Sequence, residues 1–131
     1  MDALLAQVQN DLFDLGAELC IPGHTALEER HVVFLDDALA QHNADLGKLQ
    51  EFVLPGGTRA AALAHMARCI CRRAERSVVA LDRAEALASD PAACIRDAVK
   101  QYLNRLSDLC FVLARAINKA SGSGDVLWSR Q

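Results

Sequence analysis

Aromatic side chains are scarce in this sequence: one Trp, one Tyr and four Phe make up 5% of its 131 residues. Strands favour aromatic and β-branched residues, so this scarcity, beside abundant Ala and Leu, argues for close-packed helices. Strand-type alternation and internal repeats are absent as well. Lysine occurs only at 48, 100 and 119, and the net charge is −3. Nothing overall draws such a chain onto nucleic acid or an anionic membrane. No stretch approaches the roughly 20 uninterrupted apolar residues of a membrane span. Met1-Asp2 opens no basic, then apolar, export signal. Five cysteines without such a signal read as the reduced thiols of a cytoplasmic protein. Cys69 and Cys71 lie about 200° apart on a helix and cannot readily chelate together. His24, His31 and His42 show no metal-ligand pattern, so no protein metal site is expected. There is no nucleophile elbow, and Gly56-Gly57 is too little for a phosphate loop.

What is present is helical. At 52% hydrophobic, 131 residues suffice for one domain with a real core. Leu5, Val8, Leu12, Leu15 and Leu19 form an apolar stripe over about Asp2 to Cys20, ended by Ile21-Pro22-Gly23. Thr25 caps a second helix, with Glu28 three residues on as a capping-box partner. Its stripe of Val32, Leu35 and Leu39 fades near Asn43 to Gly47. After the loop Phe52-Val-Leu-Pro-Gly-Gly, Thr58 is the N-cap of a long helix from Arg59 to about Ala88. Asp90 as N-cap and Pro91 at the first helical position start a last helix reaching about Ala120. Ser121-Gly-Ser-Gly124 stops it, leaving 121–131 as a tail with Val126-Leu-Trp128. The expected fold is all-α, an antiparallel bundle of long helices, as a single domain over 1–131.

One stretch asks for an anionic partner. Ala60 to Leu81 reads as a buried helix, yet it carries Arg68, Arg72, Arg73, Glu75 and Arg76. Buried charges need partners. Arg68, Arg72 and Arg76 share one face at i, i+4 and i+8, with Arg73 beside them, and Glu75 can pair with Arg72. Asn104, Asp108, Phe111 and Arg115 make a similar line on the last helix. On antiparallel neighbours, Asp108 or Glu75 would hold one arginine and leave others for a phosphate chain. On spacing alone, such a run is more often a solvated face. The apolar surroundings and the preceding Pro-Gly-Gly loop favour a ligand instead. His65 alone reads as a packed histidine, and Phe52 and Phe111 as core.

Taken in order, these motifs resemble a known family. Phe52-Val-Leu-Pro-Gly-Gly-Thr58, Ala64-His-Met-Ala-Arg68, Cys71-Arg-Arg-Ala-Glu-Arg76 and Tyr102-Leu-Asn-Arg-Leu-Ser-Asp108 resemble the ATP:cob(I)alamin adenosyltransferases of the trimeric helical-bundle, ferritin-like type. Gln9 to Leu19 is similar to that family's second helix. The resemblance implies transfer of the 5′-deoxyadenosyl group of ATP to the cobalt of reduced cobalamin, releasing triphosphate. It implies ATP with Mg as co-substrate, cobalamin as substrate, and a homotrimer with ATP between subunits. It also assigns roles. Arg68 and Arg72 become catalytic. Arg72, Arg73, Glu75, Arg76 and Asn104 bind ATP. Phe52, Phe111 and Asp108 line the corrinoid side, with Arg105 in support. The family's first helix and its threonine- and glycine-rich triphosphate loop have no counterpart here. The chain is therefore expected to be either shortened relative to its gene or a truncated relative. In the second case it binds corrinoid or nucleotide without turnover, or only oligomerises.

Overall fold

The computed structural model describes residues 1–88 and 94–131. Four helices follow one another: α1 (Asp2–Cys20), α2 (Glu29–Asn43), α3 (Arg59–Leu87) and α4 (Asp97–Ala120). Side-chain bonds fix their directions. Thr58 meets Asn118 at one end of the α3–α4 pair, and Asp82 meets Lys100 at the other, so α3 and α4 are antiparallel. Tyr102 with Asp11, and Arg96 with Glu18, make α1 antiparallel to α4. Asp36 with Arg105, followed by Gly47 with Arg115, make α2 parallel to it. The bundle therefore runs up, down, up, down, in the expected all-α arrangement. Among the described residues, no helix is long and apolar enough to cross a membrane.

The core is built on α4. Val99, Tyr102, Leu103, Leu106, Leu109 and Leu113 are buried on more than one side of that helix. Val8 and Leu15 of α1 and Val32 and Leu35 of α2 join them in one cluster. Each fully buried side chain of this size contributes about 1.5–3 kcal/mol. A polar pair sits in the core: the Tyr102 hydroxyl donates to Asp11 at 2.8 Å, and Gln7 donates to the other Asp11 oxygen at 2.8 Å. Burial, followed by the bond to Asp11, raises the Tyr102 pKa.

Three sequence expectations are corrected. Thr25 does not cap α2, because the Glu18 carboxylate takes the N–H groups of Ala26 and Leu27, both at 2.9 Å, and holds them in a loop. The cap is Glu28, which exchanges bonds with His31. Burial acts to raise the Glu18 pKa, but the two N–H groups and Arg96 outweigh it and the pKa is lowered. The last helix begins at Asp97, not near residue 90, and 94–96 are non-helical. The expected Asp90 cap and Pro91 lie outside the described residues. Third, α3 is not a buried helix. It buries only Ala61, His65, Cys71 and Val78 toward α4, while Leu63, Met66 and Ile70 stay 50%, 54% and 50% exposed.

Candidate functional site

The site gathers where the α2–α3 loop meets the end of α4. Arg115, only 7% exposed, donates to the Gly47 carbonyl at 2.8 Å and pairs with Asp125 at 2.9 Å. Lys119 donates to the Asp45 carbonyl. Asn118 ties down the other end of the loop. Its side chain accepts from the Thr58 N–H at 2.9 Å and donates to the Gly56 carbonyl at 3.0 Å. Gly57 makes this approach possible: its φ is +94°, and a Cβ there would lie 2.2 Å from the Asn118 Oδ1. Thr58 caps α3 as expected, accepting from the Ala61 N–H at 3.1 Å.

The pinned loop walls a cavity of about 570 Å³ with Asp36, Arg68, Arg105, Asp108 and Phe111 in its lining. A neighbouring hollow of about 470 Å³ is lined by Leu49, Phe52 and Val53, and shares Arg68 and Phe111. The Arg68 guanidinium lies over the Phe111 ring, 5.3 Å from its centre. His65 meets the same ring edge-on at 6.1 Å. Arg105 bridges Asp36 at 2.9 Å and Asp108 at 3.4 Å, a half-exposed pair contributing about 0.2–1 kcal/mol.

A second group sits further along α3. Arg72 pairs with Glu75, whose other oxygen accepts from Asn104 on α4 at 3.1 Å. Arg72 is thus aimed by a carboxylate that α4 holds, while its guanidinium remains near solvent. Arg73 and Arg76 are exposed and have no ion pair among the described residues. Arg73 is turned about 100° from Arg72 around the helix, beside the face that Arg68, Arg72 and Arg76 share, as expected. The structure therefore brings together Phe52, Arg68 and Phe111 at one hollow, Asp108 with Arg105 beside it, and Arg72 with Glu75 and Asn104. It leaves Arg73 and Arg76 apart.

The two buried thiols beside the site are held in their protonated form. Burial pushes the Cys71 thiol up to about 12, and it donates to the Leu103 carbonyl at 3.1 Å. Burial likewise raises Cys110. The His65 pKa is lowered, first by burial and then by the Arg68 charge, with Asp125 partly opposing. Its ring is neutral near pH 7, and its Nε2 is buried without a partner. Among the described residues, no group of three or more His, Cys, Asp or Glu side chains is placed to hold a metal. An apolar wall rimmed by cations and carboxylates suits a broad ligand with polar edges. The exposed arginines nearby suit a polyanion.

Sequence reasoning did not single out Asp36, Asp125 or Trp128 for this region. Each acts through a partner more than eight positions away, a relation that leaves no local pattern.

The model of the family described as cobalamin adenosyltransferase matches residues 1–117. A protein of Cupriavidus metallidurans named cobalamin adenosyltransferase is 57% identical over 129 residues, covering 98% of this chain and 66% of its own length. The corrinoid adenosyltransferase of Bacillus subtilis is 42% identical, covering 99% of this chain and 65% of its own. The chain thus spans just under two thirds of these relatives. Among solved structures, a phenylalanine-to-histidine variant of a PduO-type ATP:corrinoid adenosyltransferase from Lactobacillus reuteri, complexed with cobalamin and ATP, superposes with TM-score 0.81. It is 31% identical, over 96% of this chain and 67% of that one. An arginine-to-lysine variant complexed with ATP gives 0.79 at 31% identity, over 95% and 69%.

Proposed function

Since the chain belongs to the cobalamin adenosyltransferase family, we propose that it transfers the 5′-deoxyadenosyl group of ATP to the cobalt of a reduced cobalamin, with triphosphate as the leaving group. The observation that carries the reading is the pairing of two unlike surfaces. An aromatic hollow of Phe52, Phe111 and Arg68 opens on one side, and a solvent-facing row of arginines begins one turn further along α3.

In this reading the cobalt attacks C5′ of ATP, the C5′–O bond breaks, and the electron pair leaves with the triphosphate. Negative charge accumulates on that leaving chain. Arg72, aimed by Glu75 and Asn104, supplies a fixed positive charge toward it, and Arg68 stands between it and the corrinoid. Arg73 and Arg76 add anion contacts from the exposed face. Magnesium bound to ATP supplies further charge neutralisation. Phe52 and Phe111 present apolar bulk to the corrinoid, keeping a lower axial ligand off cobalt, while Asp108 and Arg105 edge its polar rim.

The exposed Leu63, Met66 and Ile70 stripe supports assembly with further copies, and we read the unit as a homotrimer of one-domain subunits. Sedimentation giving a monomer at micromolar concentration would overturn that part. The five free thiols suit the reducing cytoplasm. The decisive assay mixes the protein with ATP, magnesium and chemically reduced cobalamin and follows the visible spectrum of adenosylcobalamin. Turnover is expected. Cobalamin binding without turnover would replace the transferase with a non-catalytic corrinoid binder.

A further inference from the structure

Phe52 is 78% exposed, yet the backbone beneath it is fixed. The Trp128 N–H donates to the Phe52 carbonyl at 2.8 Å, and the Leu54 N–H donates to the Val126 carbonyl at 2.7 Å. These bonds close an antiparallel bridge between Val53 and Leu127. The strap that makes the bridge is anchored on α4. Asp125 pairs with the buried Arg115, and the Asn118 carbonyl accepts the N–H groups of Ser123 and Gly124 at 3.0 and 3.3 Å. Val126 packs beside Gly56, where a Cβ would stand 3.1 Å from its methyl.

Backbone bonds of this kind fix a chain but do not choose the rotamer of an exposed ring. The Trp128 indole meets the Phe52 ring edge-on, with centres 6.3 Å apart and planes at 76°. That is one of the two preferred geometries of an aromatic pair. We propose that Trp128 is a positioning residue that holds the Phe52 ring at the mouth of the Arg68–Phe111 hollow, so that strap 124–128 governs which corrinoids are adenosylated efficiently. The inference rests on the transferase reading. Its logic is steric: if the ring keeps a lower axial ligand off cobalt, its placement matters only for corrinoids that carry such a ligand.

The test measures steady-state adenosylation of cobalamin and of cobinamide, which lacks the lower nucleotide ligand. Trp128→Ala should lower kcat with cobalamin about tenfold to hundredfold, as small misplacements of a positioned group do, and leave the KM for ATP within about twofold. Cobinamide turnover should be retained. Trp128→Phe, which keeps an aromatic edge, should retain cobalamin turnover as well. The Phe52→Ala/Trp128→Ala double variant should be no worse than Phe52→Ala alone. Should the alanine variant fail to fold, Trp128→Leu keeps the bulk without the aromatic edge and carries the same expectation. Equal loss with both corrinoids, or multiplying effects in the double variant, would overturn the role. So would unchanged cobalamin turnover in Trp128→Ala. Absence of turnover with either corrinoid in the unmodified protein would instead overturn the transferase reading, and the role with it.

Discussion

Arg72 and His65 show how differently two residues one helical stretch apart respond to change. Arg72 lies near solvent, but the Glu75 carboxylate it pairs with is largely buried, so its removal leaves that charge to the neutral Asn104 amide alone. Arg72→Ala should lower kcat/KM for ATP about tenfold to hundredfold and lower the melting temperature by a few degrees. Steady-state kinetics and a thermal melt check both halves. His65 is the reverse case, buried and neutral. Its folded pKa lies below the ordinary 6.5, so the unfolded chain binds its proton first as pH falls. The stability it permits is complete above about pH 6.5 and declines as pH drops from there toward the folded value. Melting temperatures measured between pH 7.5 and 5 should fall in that window, and the fall should flatten in His65→Gln. A slope unchanged by the substitution would assign the acid loss elsewhere. At this scale the sequence was legible where partners were neighbours. Arg72 with Glu75 follows from a three-residue spacing, whereas the bond from Asn104 to Glu75 depends on which face of α3 meets α4.

Among the elements, the loop between α2 and α3 carries the sharpest sequence signal and the clearest liability. Pro55-Gly56-Gly57-Thr58 announced a break and a cap, and both are there. What the letters did not announce is Asn118, sixty residues away from Thr58, threading its side chain into the loop. Gly57→Ala should destabilise the protein by more than about 1 kcal/mol, because a positive φ is combined with a collision that Asn118 can relieve only by giving up its bonds to Thr58 and Gly56. Chemical denaturation measures it, and a loss confined to a few tenths would show that the loop can shift. The start of α2 was misplaced by the sequence for the same kind of reason. A capping box at Thr25 satisfies local rules, but Glu18 on α1 takes the N–H groups of Ala26 and Leu27, and the Glu28 N–H goes to His31 instead. At the start of α4 the Asp82 carboxylate of α3 likewise takes the Ile95 N–H at 3.0 Å, just before the helix begins at Asp97.

For the molecule as a whole, the all-α class followed from composition and periodicity, since little in the chain favours strands. The hierarchy of helices did not. Every helix has an apolar stripe, and only packing reveals that α4 is central while α3 keeps more than half of its apolar residues outside. That outward stripe carries a prediction at this scale. Leu63→Glu/Ile70→Glu should shift the assembly to smaller species by sedimentation, with the helical content of each subunit retained. Unfolded protein instead would mean that the stripe is needed within one subunit.

The central position of α4 also bears on how such a protein can change over generations. Its residues serve the core and the site together: Asn104, Asp108, Phe111 and Arg115 share a helix with the side chains that hold the bundle shut. A library of substitutions should therefore divide unevenly. If α3 handles the nucleotide as proposed, changes along it can retune that handling and still leave foldable offspring. Changes along α4 meet a double filter, and new specificities will be found there only after stability has been gained elsewhere.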